Sequence, residues 1–353
     1  MKKICYFGSF LADYSRNKIL IQGLKENNCE IIFCQDSSYG VSHYLKLVKY
    51  FIKIHKKCDV ILVGTIGLYD IPLAWILGKV FGKKVIFDAF ISFYDTYVFD
   101  RKVIKKNSFK AVKTYLWEYV ACHLADLVYL DTKKHAEYFV KTYNLRSSKV
   151  KFVYVGADSQ IFKPLISKKI SKKIIVNFYG SFQPLQGVDY IVRAAGMFKG
   201  RRDVLFQVIG DGQTKSKVIS LAKRKSIHNI QFIGWKKIGE LVRLAQKADI
   251  SLGIFGKTSK ANRVIPNKAY EAIAMGNPLI TMKSDAIEEL FTDMRDVILV
   301  DNNDPQELVD AINLLISNPK LREKIASSGL QLFEEKLKAK ILAKKLLNLI
   351  NES

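Results

Sequence analysis

Short runs of β-branched and aromatic residues alternate along this chain with longer stretches whose apolar positions recur every three or four residues. The runs 3–8 (KICYFG), 30–35, 59–64, 84–90, 127–131 and 151–155 read as strands. Segments 15–27, 40–57, 69–82, 108–125 and 133–143 read as the helices between them. Near-continuous apolar strands separated by helices predict a parallel sheet covered on both faces. The pattern then restarts, with strands at 173–180, 204–210, 230–234, 248–253, 278–282 and 297–300. Helices are predicted at 187–198, 213–226, 238–247, 267–275, 284–290, 305–316 and 319–327. Segment 156–172, with Pro164 and several lysines but no period, reads as a linker. The expected fold class is α/β: two doubly wound, Rossmann-like domains facing a cleft, at 1–164 and 165–330, followed by a terminal segment 331–353. Such sheets bind ligands beyond the carboxyl ends of their strands.

A length of 353 residues suits two domains, and 49% apolar residues supply a core for each. The net charge of +24 is not a tail effect. Residues 1–164 carry 26 Lys/Arg against 14 Asp/Glu, and the remainder 31 against 19. This favours an anionic partner such as a phosphorylated small molecule or an acidic membrane surface. Nucleic acid is not expected, because the lysines are spread over both halves rather than along one recognition element. Cys5, Cys29, Cys34, Cys58 and Cys122 show no paired spacing and are expected as reduced, buried thiols. The most apolar window, 60–82, is interrupted by Asp70, Pro72 and Lys79, so no transmembrane helix is expected there.

Glycines mark the candidate chemistry. Gly8-Ser9-Phe10 follows the first strand, and Gly180-Ser181 through Gln186-Gly187 follows the first strand of the second domain. A glycine at a strand-to-helix turn lets backbone approach a ligand and points helix amides at an anion. Neither loop has the dinucleotide fingerprint or a phosphate loop ending in Gly-Lys-Ser/Thr, which sets aside NAD and ATP. Gly210 and Gly212 close another strand, and Trp235 follows the next as a wall for a nucleobase or as a core residue. Segment 249–281 is the most informative. Pro266-Asn267-Lys268 opens a short helix bearing Glu271, with Asn267 or Asn262 as its cap. Its first-turn amides, with Lys268 and either Arg263 or Lys260, are expected to form a pyrophosphate seat, and Glu271 is placed to accept hydroxyl hydrogen bonds from a sugar.

Read together, VYVGADSQIFKP at 153–164, YGSFQPLQGVDYIVRAA at 179–195, VIGDG at 208–212, FIGW at 232–235 and PNKAYEAIAMGNPLIT at 266–281 resemble the retaining glycosyltransferases of family 4. That resemblance implies a GT-B fold and transfer of a sugar from a nucleotide-sugar donor, which is a substrate rather than a cofactor. It also implies that the last helix returns to the first domain. In that family two glutamates eight positions apart flank the donor. The second aligns with Glu271, whereas Arg263 occupies the place of the first. The family's loop cations are replaced by Ser181 and Gln186, leaving Lys268, Arg263 or helix amides to take the charge of the leaving diphosphate. The histidine often found in the first domain has no match. Asp95, Asp88 or Asp13 is left to orient the acceptor hydroxyl, with Arg16 beside them. There is no Asp-x-Asp triplet and no histidine spacing for a metal, so no obligatory metal is expected.

Helix segment 43–57 carries Lys46, Lys49, Lys53 and Lys56 as one stripe on an otherwise apolar helix, and 101–117 places Lys105 and Lys106 beside aromatic residues. Basic amphipathic helices of this kind lie in the headgroup region of anionic membranes. The resulting expectation is a cytoplasmic enzyme, peripheral on the inner face of the cell membrane. Its acceptor is expected to be a lipid-linked saccharide or another surface-glycan precursor. The alternative is a binding protein of the same fold with a decayed donor site. The sequence leaves the sugar, base, linkage and oligomeric state open.

Overall fold

The computed structural model describes residues 1–165 and 173–352. The chain divides into two compact units: Met1–Gly156 together with the segment from Leu337 onward, and Ala157–Lys336. The division thus falls at 156/157 and 336/337, rather than at the expected 164/165 and 330/331. Of the expected linker, 157–165 lies in the second unit and 166–172 lies outside the described residues.

In the first unit, β1 (Lys3–Gly8), β2 (Glu30–Gln35), β3 (Val60–Val63), β4 (Lys84–Asp88), β5 (Leu127–Leu130) and β6 (Val150–Phe152) form a sheet in the order β2-β1-β3-β4-β5-β6. Every pair in it is parallel. The crossovers are α1 (Ser15–Glu26), α2 (Val41–Ile54), α3 (Ile71–Phe81), α4 (Phe109–Leu124) and α5 (Lys133–Tyr143). β3 is buried at every position, as expected of a strand covered on both faces. The order reverses between β1 and β3, so the loops that follow these two strands open the crevice where such sheets bind ligands.

In the second unit, β7 (Ile174–Tyr179), β8 (Val204–Ile209), β9 (Ile230–Ile233), β10 (Ile250–Leu252), β11 (Leu279–Met282) and β12 (Ile298–Val300) pair in the order β12-β11-β10-β7-β8-β9, again all parallel. Its helices are α6 (Val188–Met197), α7 (Lys215–Arg224), α8 (Ile238–Gln246), α9 (Asn267–Ala274), α10 (Asp285–Glu288), α11 (Pro305–Ser317) and α12 (Pro319–Lys336). The reversal here lies between β7 and β10. Each unit has its own core, centred on Phe7, Phe51 and Ile61 in the first and on Phe178, Phe206 and Ile280 in the second.

Several elements depart from the sequence pattern, most of them by one to three residues at an end. The predicted helix 40–57 ends at Ile54 and continues as a 3-10 turn, and the predicted helix 69–82 begins as one. A π turn, Asp95–Asp100, occupies a stretch the pattern left without an element. α12 runs on to Lys336 instead of stopping near 327, because Leu332 and Phe333 continue its buried stripe. α13 (Ala339–Glu352) belongs to the first unit, where the Asn27 side-chain amide at the end of α1 donates to the Lys340 carbonyl at 2.8 Å. All five cysteines are buried and unpaired. Among the described residues, no helix is long and apolar enough to cross a membrane.

Candidate functional site

The second unit gathers its polar groups at the reversal point of its sheet. Three loops are tied together there by backbone hydrogen bonds. Gly180 N–H donates to Ile209 O at 3.0 Å and Phe182 N–H to Asp211 O at 2.7 Å. From the loop after β10, Phe255 N–H donates to Gln186 O at 3.1 Å and Gly256 N–H to Leu185 O at 3.1 Å. The packing is close enough to dictate residue type. Gly210 has φ +137°, and a Cβ there would stand 1.9 Å from the Gly180 carbonyl oxygen.

Onto this floor α9 brings two charged side chains. Lys268 is buried; its ammonium donates to Gln186 Oε1 and lies 3.6 Å from the centroid of the Phe178 ring. Burial drives its pKa well below the ordinary lysine value, against the opposing pull of Glu271. Glu271, also buried, accepts a 2.6 Å hydrogen bond from the Tyr179 hydroxyl. Burial raises its carboxyl to about 7, although the Tyr179 bond and Lys268 both favour the charged form. The direct contacts of the Lys268 side-chain nitrogen are thus a neutral amide and a ring, with Glu271 acting on it only through its field.

α9 begins on Pro266, and no side chain caps it. The expected asparagine cap is therefore corrected: Asn267 is the first helical residue, and the preceding proline holds the cap position in extended geometry. No side chain takes the first-turn N–H groups, of which Ala269 N–H donates to the Pro266 carbonyl at 2.8 Å. Arg263 lies half-buried on the turn ahead of the helix, and Ser181 half-buried in the glycine loop. Trp235 is 62% exposed, so core packing does not account for it. It follows β9, two strands from β7, and Gly212 closes the loop after β8 that lies between them.

The first unit corrects several acceptor-side expectations. Arg16 and Asp88 are wholly buried and paired to each other, Arg16 Nε lying 2.8 and 2.9 Å from the two carboxylate oxygens. The remaining Arg16 nitrogens donate to the Val153 and Leu130 carbonyls at 3.0 and 3.2 Å, and Thr65 Oγ1 donates to Asp88 at 2.8 Å. These groups join α1, β4, β5 and the end of β6, and they do not reach an acceptor. Asp95 is also fully buried, at the start of the π turn, so it does not meet an acceptor hydroxyl. Asp13 is exposed.

One cluster escaped the sequence reading. Ser9 donates to Asp70 Oδ2 through both its N–H (2.7 Å) and its hydroxyl (2.6 Å). His43 Nε2 lies 2.8 Å from Asp70 Oδ1, and His43 Nδ1 lies 3.0 Å from Asp36 Oδ2. A carboxylate at each ring nitrogen favours the charged form of the imidazole. Burial opposes the charge, but the bonds to Asp70 and Asp36 outweigh it and raise the imidazole pKa. Gly8 admits this arrangement: at φ +102°, a Cβ would stand 2.5 Å from Asp70 Oδ2. The strand order β2-β1-β3 brings the four residues together at the sheet's reversal point. No sequence spacing announces them.

Residues 131–331, more than half of the chain, match the family model described as glycosyl transferases group 1. Among curated relatives, an uncharacterized glycosyltransferase of Methanocaldococcus jannaschii is 25% identical over 59% of this chain and 60% of its own length. The D-inositol 3-phosphate glycosyltransferase of a Nocardioides species is 24% identical over 59% of the chain and 49% of its own. The chitobiosyldiphosphodolichol beta-mannosyltransferase of Debaryomyces hansenii is 23% identical over 76% and 62%. The chain thus spans about half to six tenths of the length of these relatives. Of solved structures, Anabaena HepE in complex with UDP superposes with a TM-score of 0.73 at 15% identity, covering 100% of both chains. The sucrose-phosphate synthase of Thermosynechococcus elongatus gives 0.74 at 13%, covering 100% of this chain and 99% of its own. At such identities the likeness is one of fold, the two Rossmann-like domains of GT-B.

Proposed function

The chain belongs to the glycosyl transferases of group 1, and from that premise we propose that it moves a sugar from a nucleoside diphosphate donor to an acceptor hydroxyl. The observation that carries this is the ammonium of Lys268, buried against Phe178 and Gln186 at the head of an uncapped helix. As the sugar–phosphate bond breaks, negative charge grows on the departing diphosphate. Lys268 and the α9 amides are set to receive it without rearrangement. The arriving phosphate restores the full charge of Lys268, and Glu271 as carboxylate accepts the donor's ribose hydroxyls. Complexes of HepE with UDP and with UDP-glucose support a uridine donor as the first to try.

The first unit takes the acceptor in this scheme, and transfer retains the anomeric configuration. The acceptor oxygen attacks from the leaving-group face, its proton passes to the departing phosphate, and a glycosidic bond replaces the phosphate ester. The charge role of Lys268 makes a bridging metal dispensable. A lipid-linked acceptor used at the anionic inner face of the cell membrane is supported by two features. One is the outer face of α2, where Lys46, Lys49 and Lys53 lie exposed among Leu45, Tyr50 and Ile52. The other is the lipid diphosphate in the name of the Debaryomyces relative.

The test is incubation with UDP-glucose and other nucleotide sugars, with nucleoside diphosphate release followed by chromatography in the presence of EDTA. Release that survives chelation and is lost in Lys268→Gln supports the reading. A chain that turns over no nucleotide sugar contradicts it.

A further inference from the structure

The first unit also holds a recess lined by none of Ser9, Asp70 and His43, although Tyr69 adjoins Asp70 in the chain. It opens where the loop after β4 enters the π turn and α4 begins. Tyr69, Phe93 and Tyr97 line it as a row of rings. The first two lie 6.4 Å apart and 22° from parallel, the next two 5.9 Å and 19°. Lys110 and Lys113, from the first turns of α4, line the same cavity of about 370 Å³, and none of its lining residues is acidic.

Lys113 also lines a second, adjoining hollow of about 310 Å³ along α4, whose other lining residues are Phe109, Val112, Leu116, Trp117 and Val120. The two hollows share Lys113 as a lining residue, and Trp117 of the second meets Tyr69 of the first edge-on, with ring centroids 5.3 Å apart. The unit buries the opposite face of α4, through Ala111, Glu118, Ala121 and Cys122. The outward stripe is left in solvent: Phe109 is 82% exposed, Val112 50%, Leu116 50% and Val120 41%. Spacings of three, four and four put them on one side of the helix.

We infer that the recess lined by Tyr69, Phe93, Tyr97, Lys110 and Lys113, together with the neighbouring apolar stripe of α4, binds the acceptor as an amphiphile, a lipid phosphate bearing the accepting sugar. Each part of the surface fits one part of such a molecule. The three aromatic rings in the lining suit the C–H groups of a sugar. The two lysines, unopposed by acid within the cavity, take the phosphate charge. The stripe beyond them covers a hydrocarbon chain. A free polar saccharide leaves the stripe unused, and a bare apolar ligand leaves the lysines unused. This inference rests on the transfer reading above and gives its lipid-linked acceptor a site.

The experiment titrates the full chain, without donor, with farnesyl diphosphate, inorganic diphosphate and farnesol by calorimetry. Vesicles of phosphatidylglycerol and phosphatidylcholine are tested in parallel by cosedimentation. Farnesyl diphosphate is expected to bind at least tenfold more tightly than either fragment. Lys110→Gln/Lys113→Gln should weaken it at least tenfold, and Leu116→Gln/Val120→Gln should lower it towards inorganic diphosphate. The substituted side chains are exposed, and both variants should keep wild-type UDP affinity and melting temperature. Equal affinity for farnesyl diphosphate and inorganic diphosphate, indifference to both variants, or displacement by UDP overturns the inference. So does loss of vesicle binding in the variants with farnesyl diphosphate affinity unchanged, which assigns the stripe to the bilayer. A chain that binds UDP but not farnesyl diphosphate defeats this inference alone. One that binds farnesyl diphosphate but neither UDP nor any other nucleotide defeats the donor reading alone.

Discussion

The hydroxyl of Tyr179, at the end of β7, donates a 2.6 Å hydrogen bond to Oε2 of Glu271, one turn into α9. The bond favours the carboxylate, yet burial keeps the carboxyl near 7. An unfolded glutamate titrates near ~4.3, so the native state holds this proton more tightly. The stability it contributes is complete below about pH 4.3 and is lost as pH rises through about 7. Glu271→Gln should therefore flatten that fall, melting no lower than the wild type at pH 5 and higher at pH 8. Its affinity for UDP should drop by about 1.5–3 kcal/mol, the usual worth of a hydrogen bond to a charged group. Thermal melts across pH and a UDP titration check both.

The Arg16–Asp88 pair gives a prediction of the opposite kind. Asp88→Ala leaves a wholly buried guanidinium without its carboxylate, which should cost about 3–5 kcal/mol of folding stability. Chemical denaturation measures it. A variant of wild-type stability that had lost only transfer would return Asp88 to the acceptor.

His43 makes stability depend on pH in its own window. Its folded pKa is raised by Asp70 and Asp36. The contribution is therefore full below the ordinary imidazole value of about 6.5 and lost as pH rises through the higher folded value. His43→Gln should remove that loss above about pH 6.5 while leaving the Glu271 transition in place. An NMR titration of the imidazole should show a midpoint above the free value, and a midpoint below it contradicts the double carboxylate clamp.

Much of this was legible in the sequence, for a physical reason. Strands covered on both faces read as unbroken apolar runs, so β1 comes out at its structural bounds; the edge strand β2 and the amphipathic helix α5 do so too, from their β-rich run and their helical period. Glycine loops announce themselves because Gly8 and Gly210 sit where a side chain has no room. Burial of polar groups is not legible in this way. Arg16 and Asp88 stand 72 positions apart and Lys268 and Gln186 82, so only the folded sheet order shows that they pair. A pattern of residue types marks Asp88 and Asp95 as candidate acids. It cannot show that their neighbours have closed over them.

The α2 face should behave as a membrane contact. Lys46→Glu/Lys49→Glu/Lys53→Glu should abolish cosedimentation with anionic vesicles at low salt, at about 1 kcal/mol per basic residue, without changing UDP affinity. Equal sedimentation of the variant and the wild type removes α2 from the membrane reading.

The most direct test is a calorimetric titration of UDP into the wild type and Lys268→Met, with melting temperatures taken on the same samples. Replacing a buried amine that faces a ring and an amide with an apolar chain of similar length should leave the fold as stable or more so. The account predicts micromolar or tighter UDP binding to the wild type and at least tenfold weaker binding to Lys268→Met, with no fall in melting temperature. Equal UDP affinity in the two proteins would contradict it.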